Sequence, residues 1–196
     1  ATAFPSGVMT MPVEATEHAG PVIIWRKELR PDSGGVGAFR GGVGQLMEVG
    51  AREGHEFDFS AMFDRVDHPA LGRAGGGAGA PTTLRRSDGS ALRGKGKQFV
   101  PHGQRVEMAF PGGGGYGEAQ DGDRLLVKQD LAQGYISEDS AREVFGLSED
   151  MIAEALAAAQ LLAAEMMALL HRDAVKYPLK KEKKSREVGC ASAACR

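Results

Sequence analysis

The sequence predicts an α+β protein, in which a β-rich glycine-loop domain is followed by a helical C-terminal segment. Short apolar runs separated by glycine clusters occupy residues 1–146, whereas residues 147–177 are rich in Ala, Leu, Met and Glu. Residues 1–120 also lack the alternating strands and long amphipathic helices of a doubly wound sheet. We therefore expect domain boundaries near 146 and 177, followed by a basic, disordered tail over 178–196.

Three segments of the first part are predicted to be strands. The apolar run 21–25 is bounded by proline and charge, and residues 44–49 and 105–110 alternate with a period near two. Glycine clusters separate these segments. Because glycine has no Cβ, it lets two backbones, or a backbone and a ligand, approach closely. The clusters are Gly34-Gly35, Gly41-Gly42, Gly75 to Gly77 and Gly112 to Gly115.

Two helices are predicted in the C-terminal part. Ser137 is a suitable N-cap for the first, which we expect to reach about Phe145 and stop at Gly146. The second should begin after Ser148 and end at about 174–177, before a proline. Its apolar arc is so wide that it requires burial or a partner helix.

The same helix is the longest apolar stretch of the chain, and Glu154 and Glu165 interrupt it. Charges at mid-helix are costly in a bilayer, so we expect a helix that does not span a membrane.

Composition narrows the function classes. The chain has 24 Lys and Arg against 26 Asp and Glu, a balance unlike that of a dedicated nucleic-acid binder. Cys190 and Cys195 are expected to be free thiols, which is typical of a reducing compartment. The first residues show no secretory signal pattern, so we expect a cytoplasmic protein.

Most short motifs in the chain carry little chemistry. The segment 112–117 satisfies G-x-G-x-x-G, but a turn follows it where a dinucleotide site needs a helix. A Walker-type phosphate loop is absent from the sequence, and its five histidines form no close metal pair. We therefore predict no metal ligand and no bound cofactor in this chain.

The catalytic candidates are charged residues beside glycine clusters or in turns, namely Asp32, Arg40, Glu14 and Glu17. An arginine in a bare loop can bind a carboxylate or phosphate through two hydrogen bonds. Two carboxylates three residues apart share a face in a helix but not in a strand. The alternatives are structural: Arg40 pairs with Asp32 to hold the turn, and the two glutamates cap backbone amides.

The substrate-binding candidates are Arg40, Lys95, Gly113, Gly114 and Tyr116. Lys95 lies between two glycines and offers a point charge to an anion. Gly113 and Gly114 offer bare backbone. The alternative for Tyr116 is a packed anchor.

Several segments in order resemble the C-terminal third of hydantoinase B/oxoprolinase proteins, over about residues 1–146. This family includes N-methylhydantoinase B subunits, the matching half of 5-oxoprolinase and related ketone carboxylase subunits. The segments are Met11 to Glu17, Leu29 to Gly44, Phe63 to Arg65, the glycine patch 72–79, Gly94 to Gly96, Pro111 to Gly117, and Asp130 to Gly146.

The resemblance implies a part in ATP-dependent hydrolytic ring opening of a cyclic amide of the 5-oxoproline or hydantoin class. Its expected partners are a hydantoinase A-type subunit, which uses ATP, and the N-terminal part of the B subunit, which holds a divalent metal. Alone, the chain is expected to be inactive. The alternatives are a non-catalytic interaction module, an inactive fragment or part of a related ketone carboxylase.

Overall fold

The computed structural model describes residues 11–176, with side chains to residue 169. The predicted tail 178–196, with both cysteines, lies outside the described residues. In chain order the elements are α1 (Val13–Ala19), β1 (Val22–Arg30), β2 (Gly44–Ala51), β3 (Phe57–Met62), β4 (Thr83–Arg86), β5 (Lys95–Val100), β6 (Arg105–Ala109), α2 (Arg124–Ala132), α3 (Glu138–Glu143) and α4 (Glu149–Lys176). The predicted α+β class is confirmed, with helices towards the C-terminal part.

All strand pairs are antiparallel. A four-stranded sheet has the order β1-β2-β6-β4, and β3 pairs with β5 in a second sheet. The three predicted strands form β1, β2 and β6, and β1 runs on to Arg30.

The core of the β-rich part lies between these sheets. Leu84, Val100, Val106 and Met108 are buried there. A row of three aromatic rings packs against these residues. The centroid of the Phe63 ring lies 5.9 Å from that of Phe59 and 5.6 Å from that of Phe110. The four-stranded sheet therefore buries one face, and its alternating side chains place charged residues on the other.

A second core joins α2, α3 and the start of α4. The predicted cap is confirmed: the Ser137 hydroxyl accepts a hydrogen bond from the Ser140 N–H at 3.1 Å. The helix ends at Glu143, two residues earlier than expected, and Gly146 follows with a φ of +63°. The buried members of this core are Val127, Leu131, Ile136, Ala141, Leu147, Ile152 and Ala155.

The chain divides into two units, residues 1–158 and 159–196. Within the second unit, α4 exposes Leu161, Leu162, Met166 and Met167. Over Glu149–Leu169 the helix has a mean hydropathy of 1.5, so it is both long enough and apolar enough to cross a membrane. Core helices of soluble proteins meet the same two criteria. The prediction that it does not span a membrane therefore stays a prediction.

Candidate functional site

Three glycine-rich segments, residues 33–42, 70–80 and 112–117, run side by side and form what we call the glycine layer. Each segment is hydrogen-bonded to the other two through its backbone. The Gly35 N–H donates to the Gly113 carbonyl at 2.8 Å, the Gly77 N–H to the Val36 carbonyl at 2.7 Å, and the Gly115 N–H to the Gly77 carbonyl at 2.9 Å. The layer is therefore held by main-chain groups.

Most glycines of the layer lie so close to neighbouring backbone that a side chain would not fit. A Cβ on Gly112 would overlap the Ser33 carbonyl oxygen, and a Cβ on Gly114 would overlap that of Leu71. A Cβ on Gly113 would lie 3.2 Å from the Gly42 nitrogen. Gly113 and Gly114 thus face neighbouring backbone, and their assignment to substrate binding stays a prediction.

Arg40 projects from the glycine layer onto the last turn of α2 and the connection that leads to α3. Its Nε donates to Asp130 Oδ2 at 2.6 Å and its Nη2 to Asp130 Oδ1 at 3.0 Å. Its Nη1 donates to the Gly41 carbonyl, and the guanidinium lies 5.3 Å from the centroid of the Tyr135 ring. The hydrogen bond to Asp130 raises the pKa of Arg40 against the opposing effect of burial. The alternative that Arg40 pairs with Asp32 is wrong.

Asp32 is tied to the same connection from the other side of the loop. Its N–H donates to the Tyr135 carbonyl at 3.0 Å, and its Oδ1 accepts from the Ser137 N–H at 2.9 Å. Asp32 has a φ of +55°, a conformation that aspartate tolerates better than most residues. The structure therefore brings Asp32 and Arg40 together at one junction, residues 130–137.

The charge of Asp32 is stabilised at this junction. Burial by itself would raise the pKa of the Asp32 carboxyl. Hydrogen bonds from the Ser137 N–H and from the hydroxyls of Ser140 and Ser137 outweigh burial, so the pKa lies below its usual value. A carboxyl whose folded pKa is lowered stabilises the fold above its unfolded pKa of about 3.9. That stabilisation is lost as the pH falls through the folded pKa.

We expect Asp32→Asn to lower the free energy of unfolding at pH 7 by at most about 1 kcal/mol, the typical size of an exposed capping interaction. Asparagine tolerates the positive φ, so the substitution isolates the charge. Urea unfolding at pH 7 and at pH 3 should show that the gap between variant and wild type narrows at acid pH. A gap that does not change with pH would contradict this account.

A pocket of about 210 Å³ opens beside the junction. The Arg40–Asp130 pair forms one wall, and Phe39, Leu126 and Phe145 contribute apolar surface. Phe39 and Tyr116 stand at the surface with 66% and 56% of their area exposed, and their ring centroids are 6.4 Å apart. The pocket thus combines an ion pair already satisfied within the chain with exposed aromatic surface.

The remaining candidates contact other parts of the chain. Lys95 donates to Asp64 at 2.5 Å and lines a separate pocket of about 220 Å³. Glu14 and Glu17 lie in α1, and Glu17 accepts a hydrogen bond from the Ile24 N–H at 2.8 Å. Glu17 therefore has the role of the structural alternative given above, because its carboxylate caps a backbone amide.

Within the part of the chain that the structure describes, no group of three or more His, Cys, Asp and Glu side chains is placed to hold a metal ion. The described residues therefore do not fit the divalent metal that the resemblance implies for the complete assembly.

Comparison with known proteins agrees with the motif order. The hydantoinase B/oxoprolinase family model matches residues 1–119, more than half of the chain. The caprolactamase subunit beta of Pseudomonas jessenii is 30% identical over 151 residues, which cover 73% of this chain and 26% of the relative. The uncharacterized protein MJ0963 of Methanocaldococcus jannaschii is 32% identical over 136 residues, or 68% of this chain and 24% of the relative.

Two solved structures share the fold of this chain. The ATP-dependent caprolactamase from Pseudomonas jessenii aligns with a TM-score of 0.60 at 28% identity, covering 72% of this chain and 26% of that one. A nucleotide-free acetone carboxylase shares the fold with a TM-score of 0.57 at 19% identity, covering 81% and 27%. The chain spans about a quarter of the length of these relatives. It belongs to the hydantoinase B/oxoprolinase family.

Proposed function

We propose that this chain is the C-terminal part of a hydantoinase B/oxoprolinase-type subunit that acts with an ATP-using A-type partner in hydrolytic ring opening of a cyclic amide. The family match over residues 1–119 carries this proposal, and the caprolactamase relative supports it. Because the chain spans about a quarter of its relatives, the activity is proposed for the assembly. The proposal includes a cytoplasmic location and a substrate of the 5-oxoproline or hydantoin class.

In such a reaction the oxygen of water bonds to the amide carbon, the ring C–N bond breaks and the nitrogen takes up a proton. ATP, bound by the partner, supplies the activation of the amide. The described residues contribute a rigid support: the glycine layer holds Arg40 and Asp32 against residues 130–137. A fixed scaffold of this kind positions loops for chemistry carried out by other parts of the assembly.

A second candidate function is a non-catalytic interaction module of the same assembly. Arg40, Asp32 and Lys95 are all engaged within the chain, while Phe39 and Tyr116 expose their rings. Exposed aromatic side chains are enriched at protein–protein interfaces.

Reconstitution distinguishes the two functions. The full chain is combined with an A-type subunit and the upstream region of a B-type subunit, and ring opening of 5-oxoproline, hydantoin and caprolactam is measured together with ADP release. We expect turnover that requires ATP and that falls at least tenfold when the chain is omitted. The Arg93→Gln variant, altered at an exposed residue outside the junction, serves as the control and should retain wild-type turnover.

Association of the chain without any change in turnover would establish the interaction module instead. Failure of the chain to associate with either component would contradict both functions. Carboxylation of acetone by the assembly, in place of ring opening, would identify the ketone carboxylase alternative.

A further inference from the structure

A pocket of about 340 Å³ lies at one end of the β-rich part, where β3 and β6 end and β4 begins. Its volume is within the range of small-molecule sites, which are mostly apolar with a few polar groups that orient the ligand. It shares no lining residue with the pocket beside the junction around Arg40. Four of its seven lining residues are apolar, namely Met62, Phe63, Phe110 and Pro111.

The apolar wall is built around two aromatic rings. The ring centroids of Phe63 and Phe110 are 5.6 Å apart, and the two ring planes are inclined by 46°. The Phe63 N–H donates to the Gly94 carbonyl at 2.9 Å, which fixes the backbone that carries this ring. Met62 is 83% exposed, so its thioether is accessible to a ring placed in the pocket. The pocket therefore offers a suitable surface to a flat apolar group.

Arg65 contributes a positive charge that no described residue of the pocket compensates. Among residues 11–169 no acceptor binds its guanidinium, and the adjacent Asp64 carboxylate accepts from Lys95 instead, at 2.5 Å. The hydrogen bond from Lys95 is the main cause that lowers the pKa of Asp64, and Arg65 adds a smaller electrostatic effect. Asp67 lines the neighbouring pocket of about 220 Å³ and not this one. Because Lys95 balances Asp64, the Arg65 guanidinium can offer two parallel N–H groups to a carboxylate.

The backbone of Arg65 is strained and firmly held. Its φ is +58°, a conformation that an arginine rarely adopts because it lacks the short polar side chain that helps aspartate and asparagine there. The Thr82 N–H donates to the Arg65 carbonyl and the Thr82 hydroxyl to the Asp64 carbonyl, both at 2.8 Å, and Thr82 is only 2% exposed. Strain that the surrounding structure enforces in this way is concentrated at binding and active sites. Glycine would adopt this conformation without strain, so an arginine here indicates a role for the guanidinium.

We propose that this pocket binds a small organic acid whose carboxylate accepts two hydrogen bonds from Arg65 and whose flat apolar ring lies against Phe63 and Phe110. Three observations carry the proposal: the mostly apolar lining, the guanidinium without an acceptor among the described residues, and the strained backbone clamped by Thr82. The site goes beyond the proposed function, because it shares no residue with the junction around Arg40 and takes no part in the ring opening.

Calorimetric titration of the full chain tests the site with benzoate, cyclohexanecarboxylate, benzamide and acetate. Benzamide has the ring without the charge, and acetate has the charge without the ring. We expect benzoate and cyclohexanecarboxylate each to bind at least tenfold more tightly than benzamide and acetate.

The variant Arg65→Gly removes the guanidinium and relieves the positive φ. It should weaken benzoate binding at least tenfold and, at the same time, raise the melting temperature by about 2–4 °C. Ala74→Gly is the matched control, because Ala74 also has a positive φ, +50°, and does not line the pocket. It should raise the melting temperature by a similar amount and leave benzoate binding unchanged. Arg65→Asn, which tolerates the positive φ without the charge, is a second variant and should lose benzoate as Arg65→Gly does.

Equal affinity of the wild-type chain for benzoate and benzamide would overturn the site, because the charge of the ligand would then play no part. Undiminished benzoate binding by Arg65→Gly or by Arg65→Asn would also overturn it and leave Arg65 as a solvent-facing arginine. A lower melting temperature of Arg65→Gly would contradict the argument from strain and assign the arginine to the stability of the turn. If Arg65→Gly fails to fold, Arg65→Asn and the wild-type ligand series decide.

Discussion

Gly112→Ala is expected to destabilise the chain by more than about 4 kcal/mol, most of the stability of a marginally stable domain. The added Cβ would overlap the Ser33 carbonyl oxygen, a backbone atom that cannot move aside as a side chain does. Ser33 is itself fixed, because its carbonyl accepts from the Ala80 N–H at 2.8 Å and its buried hydroxyl accepts from the Gly44 N–H at 2.7 Å. Two of the three segments of the glycine layer would have to separate.

Gly42→Ala is the matched control, because Gly42 belongs to the same layer and no atom lies within 4 Å of the Cβ it would gain. We expect Gly42→Ala to change the free energy of unfolding by less than about 1 kcal/mol. Chemical denaturation of both variants, with circular dichroism as the probe, makes the comparison. Similar stability of Gly112→Ala and Gly42→Ala would show that the layer adapts to side chains.

The close approach of backbone in the glycine layer could be predicted from the sequence only in part. The clusters indicated that some backbone, or a ligand, comes close. They could not indicate which, because Gly112 and its neighbours contact segments about 35 to 80 positions earlier in the chain. Distant pairing of this kind leaves no local periodicity.

The strands, too, could be predicted from the sequence only in part. The strands β1, β2 and β6 carry apolar runs or alternation and were predicted, whereas β5, with the sequence Lys-Gly-Lys-Gln-Phe-Val, has too few apolar residues to be recognised. It forms because it pairs with β3 and buries Val100 in the shared core. Tertiary packing here outweighs local strand propensity.

At the junction, sequence analysis found Asp32 and Arg40 but missed Asp130. Arg40 and Asp130 lie 90 positions apart, and the motif around Arg40 offered Asp32 as the nearby acid. Only the fold, which places the last turn of α2 beside the glycine layer, selects Asp130.

We expect Arg40→Ala and Asp130→Ala each to lower the free energy of unfolding by about 2–3 kcal/mol, because each leaves the other charge partly buried and unpaired. The side chains of Arg40 and Asp130 are only 17% and 24% exposed, and two hydrogen bonds join them. A double-mutant cycle should give a coupling energy of about 1–3 kcal/mol. The exposed pair of Arg142 and Glu149 is the control cycle and should show coupling close to experimental error.

The same two variants separate a structural Arg40 from one that binds substrate. Both hydrogen-bonding edges of its guanidinium face Asp130 and the Gly41 carbonyl, so a structural role predicts equal effects of Arg40→Ala and Asp130→Ala in the reconstituted assembly. Turnover would then fall with the folded fraction, and KM would stay constant. A substrate-binding Arg40 predicts that Arg40→Ala raises KM several-fold while Asp130→Ala does not. Because the pair is satisfied within the chain, we expect the first outcome, with catalysis depending on Arg40 through the position of residues 130–137.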